Sequence, residues 1–463
     1  MNGLTTDLYH LDAAYVSWRS CLNGSATFDL YTRAAPFGSG YLLTAGLEAA
    51  IDFVQHFAFS DDDLAYLAAI KAYDPAFLAE LGRLRFQGEM LAMPEGTVAF
   101  APAPLLRVTA PFREALLIEP GLLHAIGRAT LIATKAARVV VAARGRPVAE
   151  FALRRAAEPL VVARAAAIGG CVSTSYVAAA KRFGLATSGT IPHALVQAFP
   201  TEAAAFRAVA ATIDRYTLLL DTYDPRRAIQ TAVDVAHASR EEFGHLLVAV
   251  RLDSGDLAGD ARYVRDALDE GGLPEVKILA SGDLDEYRIE ELLAAGAPLD
   301  GFGVGTSVGV GAGSLEHGIL GGALGAVYKL VWYDDDLPAT DDARIKIAGE
   351  KSTWPGEKQV YRRHGYGGDL IQLASEPAPP NSTPLLRPVI VDGAVVDGAR
   401  PSLDQIRERA ADAIATLPEP YRRITDPEPY PIAWSAKLRD LRQRASESSW
   451  QEPPAPNAAS MAD

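Results

Sequence analysis

The chain has 463 residues, enough for two or three domains and a sizeable core. With 49% hydrophobic and 22% charged residues it reads as globular, which excludes disorder as the main state and any collagen-like or low-complexity class. Forty-four Lys and Arg against 58 Asp and Glu leave a formal charge of −14, a balance that repels a phosphate backbone and argues against nucleic acid as a partner.

In chain order, the opening MNGLTTDLYHLDAAYVSWRS carries acids at Asp7 and Asp12 and no basic stretch before an apolar run, so it does not read as a signal peptide. The two cysteines, Cys21 and Cys171, are too few for a disulfide framework or a Cys-based zinc site. Both are expected to be buried hydrophobes in a protein of the reducing cytoplasm. Residues 86–107 alternate short β-like runs with Pro and Gly, and residues 358–363 and 386–396 do the same. The flanks 1–130 and 330–445 are therefore expected to pair into one discontinuous α+β domain around a core at 131–329. The longest uncharged stretch, 301–315, is rich in glycine and too short to span a bilayer, so no membrane association is expected. The tail 451–463 (QEPPAPNAASMAD) has the composition of a disordered segment.

The core has a rhythm. Apolar runs at 147–153, 185–187, 217–220, 245–250, 276–280 and 301–304 alternate with helical patterns such as 202–213, 226–243, 257–270 and 284–295. This is the spacing of βα repeats and of a parallel sheet. Each run ends in a reactive cluster: Arg154 and Arg155, then 188–193, DTYD (221–224), RLDSGD (251–256), SGDLDE (281–286) and GVGTS (303–307). A barrel gathers all such loops at one mouth, whereas a doubly wound sheet uses fewer of them, so an irregular or incomplete α/β barrel is favoured.

GVGTS offers backbone N–H groups that can surround a phosphate; a tight barrel corner explains the glycines equally well. Arg251 and Asp253 fall on one side of their strand, where Arg can hold an anion and Asp can orient a hydroxyl or a metal ion. An internal salt bridge plus a helix cap accounts for the same residues. Asp221 and Asp224, with Asp283 and Asp285, would suit Mg²⁺ carrying a polyphosphate, and any one of them would also serve as a cap. His193 in SGTIPHALV is either structural or a base or nucleophile at the mouth. Phe151 beside Arg154 and Arg155 suits a flat anionic ligand, or is a core ring followed by surface arginines.

Taken together, TDLYHLDAAY, FDLYTRAAPFGSGYLLTAGLE, FQGEMLAMPEGTVAFAPAPLLRV, ATLIATKAARVV, EFALRRA, SGTIPHALV, LLLDTYD, RLDSGDL, ASGDLDEY and FGVGTS resemble, in this order, the nicotinate phosphoribosyltransferases, over about residues 4 to 362. The resemblance implies a type II phosphoribosyltransferase fold and a head-to-tail homodimer with shared active sites. It also implies transfer of phosphoribosyl from phosphoribosyl pyrophosphate (PRPP) to nicotinate, with ATP as co-substrate through a phosphohistidine and Mg²⁺ as cofactor. Residue by residue, His193 resembles the phosphorylated histidine, with Arg251 near the substrate anions and Asp253 as the ribose-side carboxylate. Gly303, Gly305 and Thr306 resemble part of the 5′-phosphate cradle, and Phe151 with Arg154 the base site. Thr190, Ser281, Gly282 and Asp283 join the substrate-binding set, Asp221 and Asp224 are the Mg²⁺ candidates, and Asp7 and Tyr9 resemble the pair that reaches in from the other subunit. Where many relatives have Gly, this chain has Ala152, and with no Cys beyond 171 it lacks the zinc knuckle that some relatives carry. Nicotinamide phosphoribosyltransferase is the nearest alternative, but residues 169–182 contain no acid to hold an amide. A non-catalytic nucleotide-binding relative is the other.

Overall fold

The computed structural model describes residues 2–334, 342–348 and 351–448. The tail expected at 451–463 lies outside the described residues. Seven short parallel strands form the core sheet: β1 (Val148–Glu150), β2 (Ser173–Thr174), β3 (Ala186–Thr187), β4 (Arg215–Leu219), β5 (Leu246–Leu252), β6 (Lys277–Ala280) and β7 (Gly301–Val304). Their spatial order is β3-β2-β1-β7-β6-β5-β4. Read as a ring, every strand lies beside its neighbour in sequence, and β7 returns to β1 with Phe302 opposite Val148 and Val304 opposite Glu150. A doubly wound sheet reverses direction at a switch point instead, so this order is that of a barrel left open between β3 and β4. The expected α/β class and incomplete barrel are both present.

The apolar runs were sound guides to β4 through β7 because those strands are buried: Leu218, Leu219, Val250, Ile278 and Val304 have no exposed surface, whereas both residues of β3 are exposed. Burying each such side chain contributes roughly 1.5–3 kcal/mol. β2 has no such run, since it consists of two polar residues held by Ala149 and Glu150 of β1. The helices begin and end on local signals. Pro225–Phe243 has Pro at its first position, Asp224 as its cap and Gly244 at φ 72° beyond its last turn. Leu257–Glu270 and Glu286–Ala294 are capped by Asp256 and Asp285.

A six-stranded antiparallel sheet lies beside the barrel and takes strands from both flanks. Ser25–Thr32 pairs on one side with Ala326–Asp334 and on the other with Leu106–Pro111, and Glu89–Ala92 carries the pairing on to Arg387–Val391. Helix Glu119–Ala142 joins the two cores, with Leu122, Ala125 and Ile126 under the antiparallel sheet and Ile132, Ala136 and Val139 in the barrel layer. The C-terminal flank divides between them, because helix Leu403–Thr416 places Ile406 and Ala410 against the barrel core. Fully buried Glu286 pairs with Lys135 at 2.5 Å and Arg138 at 2.9 Å, tying the 281–286 loop to that long helix.

One expectation fails here. Cys171 is buried, but Cys21 is exposed, in a left-handed turn at φ 53° just past helix Leu8–Arg19. A cysteine in a helix-terminal turn has no core to enter, whatever its hydrophobicity.

Candidate active site

The loops that follow the strands meet at one end of the barrel. At the end of β5, the Asp253 N–H donates to Asp221 Oδ2 at 2.9 Å, and Ser254 Oγ donates to the same oxygen at 2.6 Å. From the β6 loop, Ser281 Oγ donates to Asp253 Oδ1. Gly282 makes this approach possible. It sits at φ 89°, and a Cβ there would lie 1.7 Å from the Asp253 carbonyl oxygen. Asp283 follows in the left-handed region at φ 46°. Arg251 Nη2 is 3.8 Å from Asp253 Oδ1, and its buried Nε has no hydrogen-bond partner among the described residues. Arg251 and Asp253 do share a side, as their alternation requires, and the guanidinium keeps a donor free for an anion.

His193 opens the short helix His193–Ala198 in the connection between β3 and β4. Its Nδ1 lies 3.1 Å from Thr222 Oγ1, and its Nε2 lies 3.9 Å from Asp253 Oδ2. One imidazole thus contacts the β4 loop and the β5 loop together. Thr190 is half-buried in the turn that leads to it.

Across the sheet, the Phe151 ring lies over Gly303, where a Cβ would come within 2.3 Å of Phe151 Cε2. The Phe151 N–H donates to the Val304 carbonyl at 2.8 Å, so the β1 turn and the β7 glycine loop are one packed unit. Thr306 is exposed at the first turn after Gly305, and the buried Ser307 hydroxyl has no partner among the described residues. Arg154 is exposed and forms no ion pair among the described residues, which leaves it available to a ligand. The aromatic ring thus lies against Gly303, and the hydroxyl-bearing Thr306 and Ser307 follow at the start of the next helix.

Three placements depart from the sequence reading or add to it. Asp224 accepts the Arg226 N–H as the cap of Pro225–Phe243 and lies 3.6 Å from Arg227, so its carboxylate is engaged as a cap rather than set as a Mg²⁺ ligand. Among the described residues no three His, Cys, Asp or Glu side chains are grouped to hold a metal. Asp221 fits Mg²⁺, since its Oδ1 is buried without a hydrogen-bond partner among the described residues and Mg²⁺ needs only one or two carboxylates when phosphates and water complete its shell. Asp7 and Tyr9 are exposed on the helix Leu8–Arg19 segment, whose Leu11 and Ala14 pack into the antiparallel-sheet core. Neither makes a hydrogen bond, ion pair or ring contact with the mouth residues of its own chain.

The sequence reading passed over Thr222, Ser307, Glu150 and Glu202. Thr222 stood inside a motif already chosen, and a hydroxyl there was a legible partner for His193. Glu150, the last residue of β1, is 2% exposed, and burial raises its carboxyl pKa despite hydrogen bonds from Thr174 and Ala152. A lone acid inside PVAEFAL was the available signal. Glu202 is pushed up to about 7 by burial and by the charge of Asp224.

No helix among the described residues is long and apolar enough to cross a membrane. The model of the nicotinate phosphoribosyltransferase (NAPRTase) N-terminal domain matches residues 4–127, and that of the C-terminal domain matches residues 378–442. The chain is 39% identical over 445 residues to the nicotinate phosphoribosyltransferase pncB2 of Mycobacterium tuberculosis, covering 95% of this chain and 92% of the relative. It is 38% identical over 479 residues to the nicotinate phosphoribosyltransferase of Bacillus subtilis, covering 95% of each. The crystal structure of human nicotinic acid phosphoribosyltransferase superposes with a TM-score of 0.80 at 28% identity, covering 95% of this chain and 99% of that one.

Proposed function

The chain belongs to the nicotinate phosphoribosyltransferase family, and from that premise we propose that its barrel mouth joins nicotinate to the ribose of PRPP, with ATP hydrolysis coupled through His193. The pyridine nitrogen attacks C1′ of PRPP, and the bond from C1′ to the pyrophosphate oxygen breaks with its electron pair leaving on oxygen. The products are nicotinate mononucleotide, which enters NAD salvage, and pyrophosphate. In the coupled step a ring nitrogen of His193 attacks the γ-phosphorus of ATP and releases ADP, and water later hydrolyses the phosphohistidine.

The observation that carries this reading is the meeting of His193, Asp253, Arg251 and Ser281 at the same barrel end as the Phe151 ring on Gly303. Phe151 stacks on the pyridine ring, while Arg154 and Arg251 pair with the carboxylate and phosphate charges. The N–H groups of 303–306, with Thr306, hold the 5′-phosphate. Asp253, already oriented by Ser281, accepts from the ribose hydroxyls, and Thr190, Gly282 and Asp283 line the path to them. Mg²⁺ at Asp221 Oδ1 would neutralise charge on the polyphosphate. Asp7 and Tyr9, exposed here, complete the site of a second subunit in a head-to-tail homodimer. The flanks 1–130 and 330–445 act as the domain that carries them there.

The base is nicotinate rather than nicotinamide because the site has arginines and residues 169–182 contribute no acid. An unpaired buried charged donor costs about 3 kcal/mol, so nicotinate should exceed nicotinamide in kcat/KM by at least about a hundredfold. Steady-state rates with PRPP, Mg²⁺, ATP and each base test this. Comparable turnover of the two bases refutes the substrate, and no turnover of either refutes catalysis.

A further inference from the structure

Glu150 is a buried acid in the barrel that the chemistry above does not use. Its two carboxylate oxygens have different partners: Oε1 accepts the Ala152 N–H, and Oε2 accepts the Thr174 hydroxyl at 2.5 Å. Its carbonyl accepts the Ser175 N–H at 2.9 Å. Thr174 extends the network, with its hydroxyl accepting the Tyr176 N–H at 3.0 Å and its carbonyl accepting the Ser188 N–H at 3.0 Å. The Glu150 side chain therefore ties the turn after β1 to Thr174 of β2, whose backbone carries the network on to the loop after β3. Among the described residues no Lys, Arg or His forms an ion pair with it, and a carboxylate buried without a counter-charge is costly unless hydrogen bonds hold it.

The residue between the two ends of this clamp is Phe151. Its own N–H is held by Val304, and the next N–H, that of Ala152, is held by Glu150. Fixing both amides sets the backbone angles of Phe151, which in turn limit the rotamers its ring can take. The ring then rests on Gly303.

We propose that Glu150 is the positioning residue that holds Phe151 in the orientation that receives the base, acting through the Ala152 amide and braced by Thr174. The proposal rests on the reading of Phe151 as the base platform. It concerns only the base half of the site, because Asp253, with Arg251 3.8 Å away, is held by Asp221 and Ser281 from the loops of other strands.

The test uses Glu150→Ala, Glu150→Gln and Thr174→Val in the full chain. Initial rates are measured with nicotinate varied at saturating PRPP and the reverse, and amide hydrogen exchange is followed at residues 151–156. Losing a charged hydrogen bond of this kind corresponds to about ten- to a hundredfold in binding. Glu150→Ala should raise the KM for nicotinate by that factor, with kcat and the KM for PRPP changed less than about threefold, the pattern of lost ground-state binding. Glu150→Gln, which can still accept from Ala152, should recover most of the loss, and Thr174→Val should shift the same constant in the same direction. Faster exchange at 151–156 should accompany Glu150→Ala and not Glu150→Gln. If the KM values for both substrates rise together, or the Gln variant is no better than Ala, Glu150 is only a structural brace and the proposal falls. The exchange measurement needs no turnover. Wild-type protein inactive on nicotinate would overturn the function proposed above, whereas unchanged exchange in Glu150→Ala would overturn the clamp itself.

Discussion

Replacing Gly303 by Ala puts a methyl group where the Phe151 ring now lies. The new Cβ would stand 2.3 Å from Cε2, 2.7 Å from Cδ2 and 3.1 Å from Cζ. Carbon atoms need about 3.5 Å, so the ring must retreat by about 1.2 Å or tilt. The backbone does not object, because Gly303 lies in strand β7 and is not among the glycines at positive φ. Alanine there even gains about 0.5–1 kcal/mol over glycine in chain entropy. Overpacking costs about 1–3 kcal/mol, so the net loss of stability is about 0–2.5 kcal/mol and moves Tm by a few degrees at most. Activity should fall much further, because a shift of about 1 Å in a positioning group costs about a hundredfold. Steady-state kcat/KM for nicotinate and urea unfolding, measured on Gly303→Ala, Phe151→Ala and the double variant, give a cycle. With the ring gone the methyl group has room, so Gly303→Ala in the Phe151→Ala background should cost less than about 0.5 kcal/mol on either readout. Effects that simply add would show that the ring does not lie on Gly303, and the base platform would be lost with it.

His193→Ala should abolish ATP hydrolysis yet leave slow, ATP-independent phosphoribosyl transfer, because the phosphate cradle and Arg251 remain; intact coupling in that variant, measured as ADP formed per nucleotide made, would reject the phosphohistidine. Tyr9→Ala and Arg251→Ala should each be inactive alone and recover about one quarter of wild-type activity when refolded together, since half of randomly paired dimers are mixed and each mixed dimer has one intact site. Failure to complement, with subunit exchange verified by mass spectrometry, would place Tyr9 in the site of its own chain. Glu202 has its folded pKa raised to about 7, first by burial and then by Asp224, against about 4.3 when unfolded. The stability that its protonation contributes is fully present only below about 4.3, and the wild type loses it as pH rises from there to about 7. Glu202→Gln has no such loss and should gain more in Tm at pH 8 than at pH 4.5; an equal change at both pH values would contradict the assignment.

How far the sequence could be read depended on whether a residue's partner lay nearby in the chain. β5 and β7 were legible because their burial appears as unbroken apolar runs, and the helices because Pro225, Gly244 and the capping aspartates act within a few residues. β2 was not legible, since two polar residues have no period and become a strand by pairing with β1 and β3. The aspartates show the same division. Asp224, Asp256 and Asp285 each directly precede a helix and serve as caps, which spacing alone could have told. Asp221 and Asp253 bind each other's loops across 32 positions, which no local rule reports. The reach of Ser281 to Asp253 belongs to the same class, and the glycine at 282 was its only trace in the sequence.

The open seam of the barrel gives His193 its place. β3 ends at Thr187 and β4 begins at Arg215 with no ladder between them, so the connection that crosses the gap is not held by strand pairing. It carries His193 from the β3 side to Thr222 and Asp253, which belong to the β4 and β5 loops. At this point the imidazole and its two side-chain partners bridge the mouth, while Val196, Phe206 and Val209 of the same connection pack into the barrel core. A ladder would fix the connection through several backbone hydrogen bonds at once, whereas the imidazole reaches two side chains, at 3.1 Å and 3.9 Å. If His193 is phosphorylated as proposed, the phosphoryl group would add oxygens and negative charge opposite the Asp253 carboxylate, and like charges at that distance repel. The same step that loads the histidine would therefore push on the carboxylate that orients the ribose, and this gives the proposed ATP coupling a physical route from one side of the seam to the other.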